Sequence, residues 1–209
     1  MTTSELNDYW HKWHRFQQRY EKIFIPRIKE ALREQVKQYI AARDINAVQS
    51  APIYKVLVSL YQITGTQWAA KIAATLPRKK ARMSMGFTER IVELMRQYYG
   101  IDLLNDAEGI TGTTKEYIQD VLSVAAEKGL SFDQIVKELT SPELTARRAR
   151  VIARTETVTA ANNAGLIYAS ETGLPMNKTW ISVRDKRTRH SHRAEDNTTV
   201  DINTPFNVN

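Results

Sequence analysis

The 209-residue chain contains no cysteine. Disulfide frameworks, cysteine-rich zinc sites and thiol catalysis are excluded, and a reducing compartment is compatible with the chain. It also lacks an apolar run approaching the roughly 20 residues that a bilayer-spanning helix needs. The opening residues, MTTSELNDYWHKWHRF, have no basic flank followed by an apolar stretch, so no signal peptide is expected. Synthesis and use are expected in a cytoplasm, or in a particle assembled there. Missing too are a nucleophile elbow, a phosphate loop and a paired-carboxylate frame. No catalytic residue, cofactor or metal is therefore assigned.

What is present is positive charge. The formal net charge is +7 and the isoelectric point about 9.6, which favours anionic partners such as nucleic acid. A hydrophobic fraction of 42% is adequate for a packed core, and the length suits one or two domains.

Helical periodicity dominates. Tyr9, Trp13, Phe16, Tyr20, Phe24, Ile28, Leu32, Val36 and Tyr39 recur at steps of three and four, predicting one or two helices over 9–43 with a kink or break at Pro26. At that spacing the aromatic stripe reads as a core or partner-facing surface. Ser50 and Pro52 open a second helix whose face runs Ile53, Val56/Leu57, Leu60/Tyr61, Trp68, Ile72, Leu76, with Gly65 weakening its middle. PRKKARMSMG reads as a basic loop or arm, a linker by default and a phosphate-contacting loop as the alternative. A third helix is predicted over Thr88–Tyr99, with Ile91, Leu94/Met95 and Tyr98 inward and Gly100 as its stop. LNDAEGITGTT then reads as a loop, and a border is placed there, dividing 1–105 from 106–209.

Thr113 or Thr114 is expected to start a fourth helix ending at Gly129, and Ser131 to cap a short fifth. Ser141, Pro142 and Glu143 form a start signal for a helix of about 30 residues that stops at Gly173. Past Pro175 the pattern turns β-favouring. KTWISV alternates, with Trp180 and Ser182 on one face, and TVDIN is a second strand candidate. The expected class is α+β: predominantly helical, with a small antiparallel β element near the C-terminus packed on the long helix.

Two stretches carry chemistry. Leu144, Arg148, Val151, Thr155, Val158, Asn162 and Gly165 share one face of the long helix by spacing. If buried, its Arg and Asn need partners, since an unpaired polar group costs on the order of 1–3 kcal/mol. A polar network to the terminal hairpin is expected over a merely solvated face. The second stretch is WISVRDKRTRHSHRAEDNTTV. Arg184, Lys186, Arg187, Arg189 and Arg193 on a turn would project as a phosphate-binding patch, while Asp185 would pair with Arg154 or Arg150 and lock hairpin to helix. His190 and His192 would share one side of an extended segment, the start of a metal site, but His-x-His alone is unspecific.

ARTETVTAANNAG, Trp180, DKRTRHSH and TVDINTPFNV, in this order and spacing, resemble the phage Mu F-like head-morphogenesis family, the minor head proteins of tailed phages and prophages. The residues that match its usual pattern are Arg154, Thr155, Glu156, Asn162 or Asn163, Trp180, Asp185, Arg187, Arg189, His192, Val200, Pro205 and Phe206. The match covers about the last 70 residues. Two departures stand out: Asn197 occupies a place where the family often has Gly, and the closing strand expected after PFNVN is missing. The resemblance implies a few copies at the portal vertex inside the procapsid, carried with the DNA and assisting maturation, packaging or ejection. Expected partners are the portal protein, double-stranded DNA bound without sequence preference, further copies of the chain, and scaffold or capsid proteins; no membrane is expected. Arg154, Thr155, Glu156, Asn162, Trp180, Asp185 and His192 then hold the domain together, and the N-terminal aromatic stripe faces the portal or another copy. The alternative it implies is a nucleotide-handling enzyme related to ADP-ribosyltransferase-like or toxin-delivery domains, with its ligand near Arg154, Glu156 and His192.

Overall fold

The computed structural model describes residues 3–75, 87–182 and 188–208. Six helices and two short strands are described there: α1 (Thr3–Ala42), α2 (Ala51–Thr75), α3 (Phe87–Lys128), α4 (Phe132–Leu139), α5 (Pro142–Glu171), β1 (Asn177–Thr179), α6 (His190–Ala194) and β2 (Thr199–Asp201), with a single 3₁₀ turn at Ile45–Ala47. The mostly helical α+β class is as expected.

Amphipathic spacing makes α1 one helix. Phe16, Tyr20, Phe24, Ile28, Leu32, Val36 and Tyr39 are all buried, and Pro26 lies inside the helix without splitting it. One lost backbone hydrogen bond is offset by the apolar burial on either side. The stripe is spent within the chain. Phe16 and Trp13 pack on Trp68 of α2 at ring distances of 4.8 and 4.5 Å. It is thus not free to face a portal or a second copy, as the sequence suggested; Tyr9, at 38% exposure, marks its outer end.

Contacts fix the helix directions. Arg27 meets Ser59 and Phe16 meets Trp68, so α1 and α2 run antiparallel. Tyr61 bonds Glu156, and a Cβ on Gly65 would come within 3.1 Å of Ala164, so α2 and α5 run parallel. Met95 lies against Gly65, and Arg148 reaches Thr113 and Thr114, which sets α3 antiparallel to both. The result is a four-helix arrangement in which α5 packs chiefly on α1 and α2. Close approach is built in at two glycines: a Cβ would sit 2.5 Å from Met95 at Gly65 and 2.9 Å from Ile72 at Gly165. Buried alanines at 149, 153, 160, 161 and 164 line the matching side of α5.

Helix α3 corrects the sequence reading most. No loop interrupts it: the helix runs through Gly100, through LNDAEGITGTT and across positions 105 and 106, so the separate helices expected to end at Gly100 and begin at Thr113 are one. Leu103, Ala107, Thr111, Thr114 and Ile118 are buried at steps of four, four, three and four. That face outweighs the weak local preferences of Gly, Asn and Asp. It ends where expected, with Gly129 at φ 62°. Ser131 then caps α4 in a reciprocal box with Gln134. The start at Ser141 and Pro142, the 30-residue length and the stop at Gly173, φ 61°, hold for α5.

Candidate nucleic-acid interface

The face of α5 expected to hold a polar network is mostly its outer face. Val151 is 61% exposed, and Thr155 and Asn162 face solvent. The buried side instead contains Ala149, Ala153, Glu156, Thr157, Ala160, Ala161 and Ala164. Alanine gives little hydrophobic signal, so the polar stripe looked the more purposeful one in the sequence.

Arg148 does have the partners its type demands. Its Nη2 donates to Thr113 Oγ1 at 2.8 Å, Thr114 Oγ1 at 3.1 Å and the Ile110 carbonyl at 3.3 Å. Thr114 donates on to Gln35 Oε1, and Gln35 Nε2 donates to Thr111 Oγ1 and the Gln49 carbonyl. Burial holds the Arg148 guanidinium below its ordinary value. Sequence reasoning missed Gln35, yet it stands at core spacing between Leu32 and Tyr39, and that was the available signal.

Glu156 is 8% exposed and accepts a hydrogen bond from Tyr61 Oη at 3.0 Å. Burial pushes its carboxyl up to about 7; the Tyr61 bond opposes that rise and the charge of Asp106 on α3 adds to it. Tyr61 is itself raised, first by burial and then by Glu156. Arg154 pairs through Nε with Glu21 of α1 at 3.4 Å. The partners described for Arg154 and Glu156 thus lie on the N-terminal helices, where a link to the hairpin was expected. Glu156 is thus buried inside a helix interface, against Tyr61 of α2.

In the hairpin, Asn177, Lys178 and Thr179 pair antiparallel with Asp201, Val200 and Thr199. Trp180 extends the pairing: its N–H donates to the Thr198 carbonyl at 2.9 Å, and its carbonyl accepts from Asn197 N–H at 2.8 Å. The Trp180 ring meets His192 edge-on at 5.3 Å and Phe206 at 5.2 Å, so three residues of the resemblance form one aromatic knot. Ser182 N–H donates to Asp196 Oδ1 at 2.9 Å. The place where a glycine was looked for is explained by the backbone: Asn197 has φ 70°, the left-handed region that Gly favours and Asn tolerates. The strands' main contact is with each other rather than with α5.

Of the proposed DNA contacts, Arg184, Lys186 and Arg187 lie outside the described residues, as does Asp185; the PRKKARMSMG arm, residues 77–86, falls there too. Arg189 precedes α6 as its N-cap residue and Arg193 lies within it, both exposed. His190 and His192 belong to that helix, not to an extended segment, so two residues apart they point to different sides. Among the described residues no three His, Asp or Glu side chains gather as a metal site, and no helix is long and apolar enough to cross a membrane.

Residues 116–209 match the family described as Phage Mu protein F like protein, a family of phage head morphogenesis. The resemblance carried by Arg154, Glu156, Trp180 and His192 is thereby borne out over that span. Comparison with curated proteins and with solved structures gave no match.

Proposed function

We propose that the protein is a minor head protein of a tailed phage or prophage, held at the portal vertex inside the procapsid, where it assists assembly and the packaging or ejection of DNA. The observation that carries this reading is the family match over residues 116–209, which takes in the end of α3, all of α4 and α5, and the Trp180 hairpin. The basic segment around Arg189 and Arg193 contacts packaged DNA through backbone phosphates. Such contacts ignore sequence, as befits a protein that must accept any genome. Trp180, His192 and Phe206 hold that segment in place.

Co-expression with the portal protein, followed by size exclusion and electron microscopy, tests the reading. A stable complex is expected. Well-folded protein that never co-elutes with the portal ring would overturn the portal assignment and leave DNA contact to be judged separately.

A further inference from the structure

Arg147, Arg150 and Arg154 are spaced by three and four residues, so they share one flank of α5. All three are exposed. Arg154 shows where the flank lies: its Nε is on Glu21, so the row borders α1. Glu21 keeps only 12% side-chain exposure while Arg154 keeps 58%, so the arginine side chain stays largely in solvent. Along the same flank of α1 come Ile25 and then Lys29, at four-residue steps. Because α1 and α5 run antiparallel, Lys29 comes level with Arg147. Among the described residues Arg147, Arg150 and Lys29 have no ion pair.

The surroundings matter as much as the row. Between positions 144 and 170 of α5 the sole carboxylate is Glu156, and it is buried under Tyr61. About seven turns of helix therefore carry no exposed acid, and the exposed arginines stand in the first three of them. The outer face between this row and the Arg148 flank carries exposed Thr155 and Asn162, a hydroxyl and an amide donor. The opposite flank of α5, where Arg148 reaches α3, meets a helix with more Asp and Glu than Lys and Arg. A polyanion is thus attracted to the α1 side and repelled from the α3 side.

We infer that the α1-facing flank of α5, with Arg147, Arg150, Arg154 and Lys29, is a second surface for the phosphate backbone of double-stranded DNA, separate from the C-terminal basic segment. Arginine forks suit phosphate oxygens, and donors such as Thr and Asn commonly accompany them. An acidic protein surface is the poorer fit. The flank has no exposed aromatic anchor of the kind that protein partners use; its exposed large apolar side chain is Val151. The inference rests on the DNA-binding part of the function proposed above, but on different residues.

The test is fluorescence anisotropy of a labelled random-sequence duplex with the full chain over a range of salt concentrations. Three variants are compared with the unaltered protein: R147A/R150A, R189A/R193A, and R147K/R150K. R147A/R150A should lower the slope of log affinity against log salt by about 1.8, that is, two phosphates at ~0.9 each. R147K/R150K should restore most of it, while thermal melts stay unchanged for both because neither arginine has an ion pair among the described residues. An unchanged slope in R147A/R150A alongside a reduced slope in R189A/R193A overturns the α5 surface and keeps the hairpin contact. The reverse result keeps the α5 surface and removes the hairpin. No binding by the unaltered protein at low salt overturns both DNA contacts, and the portal experiment then stands alone.

Discussion

From Phe16 to Tyr168 the chain buries aromatic and aliphatic side chains drawn from α1, α2, α3 and α5 in one continuous cluster. From Asn177 to Phe206, Ser182 is the only described residue in the buried class. There, order comes from a two-stranded ladder, from the Trp180 backbone bonds on either side of Asn197, and from rings meeting edge to face. The comparison teaches that the residues on which the resemblance was read sit in two unlike settings. Glu156 under Tyr61 belongs to a deep core and Arg154 pairs with Glu21 at its edge, while Trp180 and His192 hold a shallow loop system with little apolar burial. It also shows that α5 is covered mainly by α1 and α2, which precede the matched span.

The largest test of this contrast is F24A. Phe24 is fully buried, and removing its ring should cost about 3–5 kcal/mol, lowering the melting temperature of all the helices together. If circular dichroism showed only a small part of the helix signal affected, the idea of a continuous core would fail.

Glu156 probes the same core through pH. Its folded value is about 7 against an ordinary 4.5. Between those values the unfolded chain has given up its proton and the folded chain keeps it. Stability therefore falls as pH rises through that window, then levels off above it. At 1.36 kcal/mol per unit the cost of ionising Glu156 is on the order of 3 kcal/mol. E156Q should remove that dependence and melt higher than the unaltered protein at pH 8. Parallel pH profiles for the two would refute the account of a carboxyl desolvated in the core.

A smaller effect is expected from W180L. Losing two edge-to-face contacts, worth about 0.5–1.5 kcal/mol each, should release the hairpin amides to faster hydrogen exchange and leave the helices protected. Simultaneous loss of protection in α1 would break the separation drawn above. Smallest is Asn197: N197A should cost roughly 1 kcal/mol at its left-handed φ, and N197G should be tolerated, both read from chemical denaturation or from exchange at Trp180 N–H.

Much of the fold was legible. The aromatic stripe of α1, the cap at Ser131, the start at Pro142 and the stops at Gly129 and Gly173 each follow from local chemistry, and each is present. Helix α3 was not legible as one element, because Gly100, Asn105, Asp106, Gly109 and Gly112 argue for a loop locally while its buried face is built partly from Ala107, Thr111 and Thr114. Tertiary packing decides such a segment, and single-residue preference does not. The candidate site divides similarly. The Trp180 knot could be anticipated from the resemblance, whereas the Tyr61–Glu156 bond joins residues 95 apart in sequence and leaves no local trace.

Two of the long helices thread both apolar clusters. Phe16 to Leu32 of α1 and Leu94 to Ala107 of α3 stand in the larger one; Val36 and Tyr39 of α1 and Ile118 of α3 stand in the smaller. At 1.5 Å per residue, the 42 residues of α3 make a strut of roughly 63 Å. Packed into both clusters, such a strut joins them through one unbroken backbone, so the two cores share a single rigid spine.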